Sequence, residues 1–235
     1  MKRSMVPIEA EIDSNLLNFL CYSRNEDGEL NPENQVVDEC VTFIFAGEDT
    51  TASTLSWIMY HLSLNPHIQK IMQEEIDRVL QGNRPTFTNL HSLHYCQNVI
   101  KETMRISPVV PILPRMLGKD YIIDGHLVKK GTLIHLFLYG VHVDPKIWKD
   151  PKEFNPERWE DSAKSFHWLP FSAGQRNCIG QKFAMQELLI AIAMIFQKFS
   201  VVYNDEKKIS PVFEGVLIPK NLEIKFIPRL QEEKE

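Results

Sequence analysis

One cysteine in a glycine-bounded loop, set just before a long apolar helical run, constrains this chain more than any other stretch. It reads Phe171-Ser172-Ala173-Gly174-Gln175-Arg176-Asn177-Cys178-Ile179-Gly180. A thiolate at neutral pH needs stabilisation. Amides in a Gly-rich turn, the start of a helix and a cation two residues away, Arg176, all supply it. That setting suits a cysteine ligating the iron of a haem. Gly174 would let the backbone pass close under a flat macrocycle, and Gly180 would let the following helix begin tight against it. The other reading of Cys178 is a buried structural thiol, the commonest fate of a free cysteine.

With 235 residues, 43% of them hydrophobic and 24% charged, the chain can bury a substantial core as one large domain or two small ones. A net charge of −5 argues against nucleic acid as a partner. Cys21, Cys40, Cys96 and Cys178 show no paired short spacing, which fits a reducing compartment better than a disulfide scaffold. His91 and His94 could share a helix face, but no third metal ligand is near them in sequence. Met1-Lys2-Arg3 leads into no long apolar run, and Leu188 to Phe196 is too short to cross a bilayer, so no signal peptide or membrane span is expected.

In chain order, residues 12–23 carry apolar residues at helical spacing, followed by a polar loop from Arg24 to Leu30. Asn31 as N-cap and Pro32 at the first position announce a helix that could run to Asn65, about 50 Å at 1.5 Å per residue. Its first half, Val36 to Ala46, is apolar nearly all round and is expected to be buried. Gly47-Glu48-Asp49-Thr50-Thr51 then interrupts the apolar run, either as a break between two helices or as a distortion that sets Asp49 and Thr50 at a catalytic cavity. Further helices are expected over 66–82, closed by Gly82, and 89–106, ended by Ser107-Pro108. In the second, Glu102 and Arg105 share a face, and an isolated pair of this kind is usually solvated and worth little.

Val109 to Leu117 is apolar, with Pro111, Pro114 and Arg115. Tyr121–Val128 reads as a hairpin around Asp124-Gly125, and Thr132–Tyr139 as a strand. His142-Val143-Asp144-Pro145 reads as a structural turn, and 147–168 as irregular. Gly180–Phe199 is expected to be a helix with Phe183, Ala184, Leu188, Ile192, Ile195 and Phe196 on its core face. Strands are expected at Val201–Tyr203 and Leu222–Phe226, with a loop near Phe213–Leu217.

Phe-x-x-Gly-x-Arg-x-Cys-x-Gly, carried by Phe171, Gly174, Arg176, Cys178 and Gly180, resembles the haem-ligand signature of the cytochromes P450. Three upstream motifs occur in that family's order. Ala46–Thr51 is similar to its oxygen-activation motif, Glu102-x-x-Arg105 to its Glu-x-x-Arg pair, and Pro156-Glu157-Arg158-Trp159 to the motif supplying a second arginine to that pair. The resemblance runs from about residue 10 to the C-terminus. It implies a mainly α fold with small β-sheets, the C-terminal part of the cytochrome P450 fold, and haem b (iron protoporphyrin IX) as cofactor. The implied reaction inserts one atom of O2 into an apolar substrate and releases the other as water. Cys178 would be the iron ligand, and Asp49 with Thr50 would deliver protons. Arg115 and Arg176 would hold propionates, although a plain surface arginine is the other reading of Arg115. Glu102, Arg105 and Arg158 would form a buried triad positioning the cysteine loop. A redox partner of reductase or ferredoxin type is implied, docking on the cysteine side, where Lys182 adds positive charge.

Phe171–Gly174, Gln181–Glu187 and Val216–Asn221 are similar to the fatty-acid ω-hydroxylase branch. Many members of that branch carry a glutamate, esterified to the haem, where this chain has Ala46, which cannot form that link. A member of the family also continues far upstream of Met1, through a membrane anchor and the helices roofing the pocket. Membrane contact, and residence at the endoplasmic reticulum rather than in the cytoplasm, would depend on that region. Two other classes follow: a non-catalytic haem-binding fragment, or a truncated product or regulatory remnant that binds no haem.

Overall fold

The computed structural model describes residues 15–25, 27–160, 166–204, 206 and 208–229. The expected helix from residue 12 therefore lies partly outside the described residues, which show α1 as Leu16–Tyr22 capped by the Asn15 side chain. Contacts group the chain into two units that part between Glu48 and Asp49.

In the first unit, Arg24 and Leu30 close the polar loop by a bridge, and α2 begins at Glu33. Asn31 is not its cap. The Asn31 side chain donates to the Ser23 hydroxyl at 2.8 Å, and the Pro32 carbonyl accepts from Val36 N–H. The expectation of a buried first half also fails. Val36 is buried, but Val37, Val41, Ile44 and Phe45 are exposed. Within the described part of this unit only α1 and its loop are available as cover, too little for a helix apolar on every side.

Helix α2, Glu33–Leu64, is continuous through Gly47–Thr51, so the polar patch is not a break. The Thr54 and Ser56 hydroxyls bond back to the carbonyls of Thr50 and Ala52 at 2.8 and 2.9 Å, so these polar side chains spend their bonding within the helix.

The second unit is built on the C-terminal half of α2 with α3 (Pro66–Leu80), α5 (His94–Ile106) and α7 (Gln181–Phe196). Ile58, Leu62, Met72, Ile76, Val99, Ile100, Leu188, Ile192 and Phe196 are all fully buried in one cluster. Each contributes about 1.5–3 kcal/mol of burial free energy before ordering entropy is subtracted. Phe183, expected on the core face of α7, points to solvent instead. Helix α3 ends on Gln81, in the left-handed region at φ 50°, one residue before the expected Gly82.

The helix expected over 89–106 is two helices, α4 (Phe87–Leu90) and α5, separated by His91-Ser92-Leu93, so His91 and His94 do not share one helix. The start of α5 has no cap from its own sequence. Glu75 on α3 supplies one, its carboxylate oxygens each accepting at 2.9 Å from the N–H groups of Tyr95 and Cys96. Gln69, also on α3, completes the edge of β5 (Phe199–Tyr203): its amide accepts from Val201 N–H at 2.7 Å and donates to the Val201 carbonyl at 3.1 Å.

Among the described residues the sheets are four antiparallel pairs. β1 (Ile112–Met116) pairs with β4 (Leu133–Phe137), and β2 (Tyr121–Ile123) with β3 (His126–Val128) across the Asp124-Gly125 turn. β5 pairs with β8 (Ile224–Pro228), and β6 (Ser210–Phe213) with β7 (Leu217–Lys220). The strand expected over 132–139 stops at Phe137, where the chain turns into α6 (Leu138–His142), and Phe213–Leu217 is the tip of the β6–β7 hairpin. The irregular run after Ile147 contains a 3-10 turn, Pro156–Trp159. Among the described residues no helix is long and apolar enough to cross a membrane.

Candidate active site

The expected site residues all fall in the second unit. Thr50 begins the face of α2 that carries Thr54, Trp57 and His61, and the last three are buried. Thr50 itself is half-buried, while Asp49 is exposed. Two anchors fix this stretch of helix. The Trp57 indole donates to the Leu217 carbonyl at 2.9 Å, and Leu217 N–H donates to the Val109 carbonyl at 2.8 Å. One residue thus joins α2, the β6–β7 hairpin and the start of the segment carrying Arg115. Further along, His61 Nε2 lies 2.9 Å from the Ser107 hydroxyl, and its ring stacks on Phe154 with centroids 4.8 Å apart. Burial pushes the His61 imidazole down to about 4, so at neutral pH it is uncharged.

Glu102, Arg105 and Arg158 meet. Arg105 Nε donates to Glu102 Oε2 at 2.9 Å and Nη2 to Oε1 at 2.8 Å, while Arg158 Nε donates to Oε1 at 2.9 Å. Glu102 and Arg105 are inaccessible to solvent, and Arg158 is 11% exposed. Such burial is tolerable only because the remaining polar atoms are bonded. Trp159 Nε1 and Asn155 N–H donate to the same carboxylate at 3.0 and 2.9 Å. The rest of the Arg105 guanidinium donates to the carbonyls of His142, Pro151 and Glu153 at 2.8, 2.7 and 3.1 Å. The meander from His142 to Trp159 is therefore wound around one ion cluster. Sequence reasoning found the three charges and missed Trp159 and Asn155. A buried indole needs an acceptor for its N–H, and that rule applied to the Pro-Glu-Arg-Trp stretch was the available signal.

The cysteine loop leaves this meander at Trp168, whose indole donates to the Lys101 carbonyl at 3.2 Å, and at Leu169, whose N–H donates to His142 Nε2 at 2.8 Å. Phe171 is half-buried against the core. Its carbonyl accepts from Cys178 N–H at 2.9 Å, closing the loop on itself. Inside, Ser172 and Gly174 both take left-handed backbone angles, φ 60° and 77°. Such angles in a non-glycine residue cost energy and gather at functional sites, and Ser172 carries no mark in the sequence. Gly180 has φ −83°, open to any residue, and an added Cβ would meet Cys178 Sγ at an ordinary 3.9 Å.

Cys178 is exposed, whereas Cys96 is buried among apolar side chains that push its thiol well above the usual range. Ile179 and Phe183, on either side of Gly180, are 87% and 70% exposed. Arg176 is exposed and Arg115 half-buried, the latter donating to the Pro114 carbonyl at 2.8 Å. Among the described residues neither arginine pairs with a carboxylate. An apolar recess lined by Phe87, Leu90, His91, Met185 and Leu189 contains none of the expected site residues.

A sequence model of the cytochrome P450 family matches residues 1–226. This chain belongs to the cytochrome P450 family. It is 36% identical to mouse cytochrome P450 3A13 over 91% of this chain and 44% of that protein. With mouse cytochrome P450 4V2 it shares 39% identity over 82% of this chain and 38% of the relative. With mouse leukotriene-B4 omega-hydroxylase 3 it shares 35% identity over 85% and 40%. The chain thus spans less than half the length of these P450 relatives. Its helices and small paired sheets are those of the C-terminal part of the P450 fold.

Proposed function

We propose that this chain carries the haem-ligand loop and oxygen-activating helix of a haem-thiolate monooxygenase acting on an apolar substrate, a fatty acid or other lipid. The observation that carries this reading is an exposed cysteine, Cys178, on a loop closed at its base and tethered to a buried ion cluster. The residues present fit haem b. An accessible sulfur donor, exposed apolar side chains beside it and guanidiniums without carboxylate partners complement a flat, apolar ring bearing iron and propionates.

Bound there, haem supplies the iron chemistry that activates O2 with electrons from a reductase. Cys178 donates its sulfur, at a position fixed by the Phe171 carbonyl. Arg115 and Arg176 hold carboxylates, for which a guanidinium fork is suited. Thr50 presents a hydroxyl on the half-buried face of α2 and Asp49 a carboxylate open to solvent, so protons pass from water through Asp49 to the Thr50 hydroxyl. Trp57 and His61 keep that face in place. Glu102, Arg105 and Arg158 hold the meander. Lys182, exposed on the first turn of α7, adds positive charge where an electron donor of reductase or ferredoxin type docks. In a longer protein of which this chain would be the C-terminal part, residence at the endoplasmic reticulum membrane belongs to the same reading.

The test is turnover by the longer protein with reductase, O2 and a long-chain fatty acid. Hydroxylated product is expected. Thr50→Ala should keep haem and divert reducing equivalents into peroxide. Unchanged coupling would remove Thr50 from proton delivery, and no O2-dependent product from any lipid tried would remove the monooxygenase reading.

A further inference from the structure

His142 lies at the end of α6, fully buried, and neither the ion cluster nor the cysteine loop includes it. It nevertheless touches both. Its carbonyl accepts from Arg105 Nη1 at 2.8 Å, and its ring Nε2 accepts from Leu169 N–H at 2.8 Å. Leu169 in turn opens the cysteine loop: its carbonyl accepts from Ser172 N–H, and the next turn is closed by Cys178 N–H on the Phe171 carbonyl. We propose that His142 is a positioning residue, its backbone carbonyl held by the Arg105–Glu102 cluster, whose ring fixes the start of the cysteine loop and so sets where Cys178 presents its sulfur. The proposal rests on the haem-ligand reading of Cys178 for its purpose, not for its geometry.

The chemistry of the ring agrees. Nε2 can accept an amide proton only if it is unprotonated, so the neutral tautomer carries its hydrogen on Nδ1. Burial, with the Arg105 guanidinium close by, pushes this imidazole down to about 4, which keeps it neutral. Nδ1 is buried with no partner among the described residues. An unpaired buried donor is unfavourable, and an apolar side chain here would avoid it. Such a side chain would leave Leu169 N–H unpaired instead, and the loop without this tether. The Trp168 indole on the Lys101 carbonyl is a second tether, one residue earlier, and cannot orient the Leu169 peptide.

The experiment compares His142→Gln, His142→Asn and His142→Leu by hydrogen exchange in the 235-residue chain without haem. Glutamine can place its side-chain oxygen about where Nε2 sits, whereas asparagine reaches only the Nδ1 position and leucine offers no acceptor. Exchange at Leu169 should quicken about tenfold or more in the Asn and Leu variants and stay near the parent in the Gln variant. Amides of α5 such as Val99 should be unchanged. Should the Leu variant fail to fold, the Gln–Asn contrast decides. Equal exchange at Leu169 in the parent and the Asn variant, or acceleration spread evenly over α5 and α7, would overturn the proposal. In the longer protein loaded with haem, the Asn variant should shift the reduced carbonyl complex away from the thiolate band while Gln retains it. A parent without that band would count against the haem-thiolate reading and leave the exchange result standing.

Discussion

The Glu102 carboxylate engages Arg105 through two parallel hydrogen bonds, at 2.8 and 2.9 Å, and solvent reaches neither side chain. Arg158, Trp159 and Asn155 share the same oxygens. Removing the carboxylate therefore strands two guanidiniums and two neutral donors in a dry site. Glu102→Ala should destabilise the fold by about 3–5 kcal/mol, read from urea unfolding. A loss below about 1 kcal/mol would be the behaviour of an exposed pair and would contradict the geometry.

His61 and His142 are both held down to about 4 by burial, with Arg105 acting in the same direction and Glu102 opposing it at His61. A folded-state value below the unfolded one means that the unfolded chain binds protons first. Stability from these groups is complete above about pH 6.5 and is lost as pH falls toward 4. At about pH 5 each should have cost on the order of 2 kcal/mol. Urea unfolding at pH 7 and pH 5 reads the loss, and His142→Gln should shrink it by about one histidine's share. An identical loss in parent and variant would show that His142 does not titrate as a buried neutral ring.

Gly174 stands at φ 77° with open space where a Cβ would go, so substitution there is limited by backbone strain and not by crowding. Gly174→Ala should cost about 1 kcal/mol, and Gly174→Asn less, because asparagine tolerates the left-handed region better. Thermal unfolding of the two variants checks the order. Asparagine worse than alanine would point to crowding that the open loop does not contain.

The long helix, the hairpin at Asp124-Gly125 and the run after Gly180 were legible because their signals are local: periodicity, turn residues and apolar length. What was not legible is what distant residues decide. The gap at His91-Ser92-Leu93 looks helical in sequence, and only Glu75 on α3, capping Tyr95 and Cys96, marks where α5 begins. Val37 to Phe45 reads as core because apolar residues name a wish for burial and not the partner that grants it. In the candidate site the charged members stood out by spacing and resemblance. Trp159 was read only as the neighbour of Arg158, although a buried indole's need for an acceptor was a signal, and His142 only as part of a turn, because an imidazole in sequence does not name its partner.

The central claim is that Cys178 is the iron ligand of a haem-thiolate centre, and the absorption spectrum of the reduced carbonyl complex tests it most directly. The longer protein loaded with haem should show the red-shifted Soret band of a thiolate ligand, and Cys178→Ala should lose it. Retention of that band after Cys178→Ala would contradict the assignment.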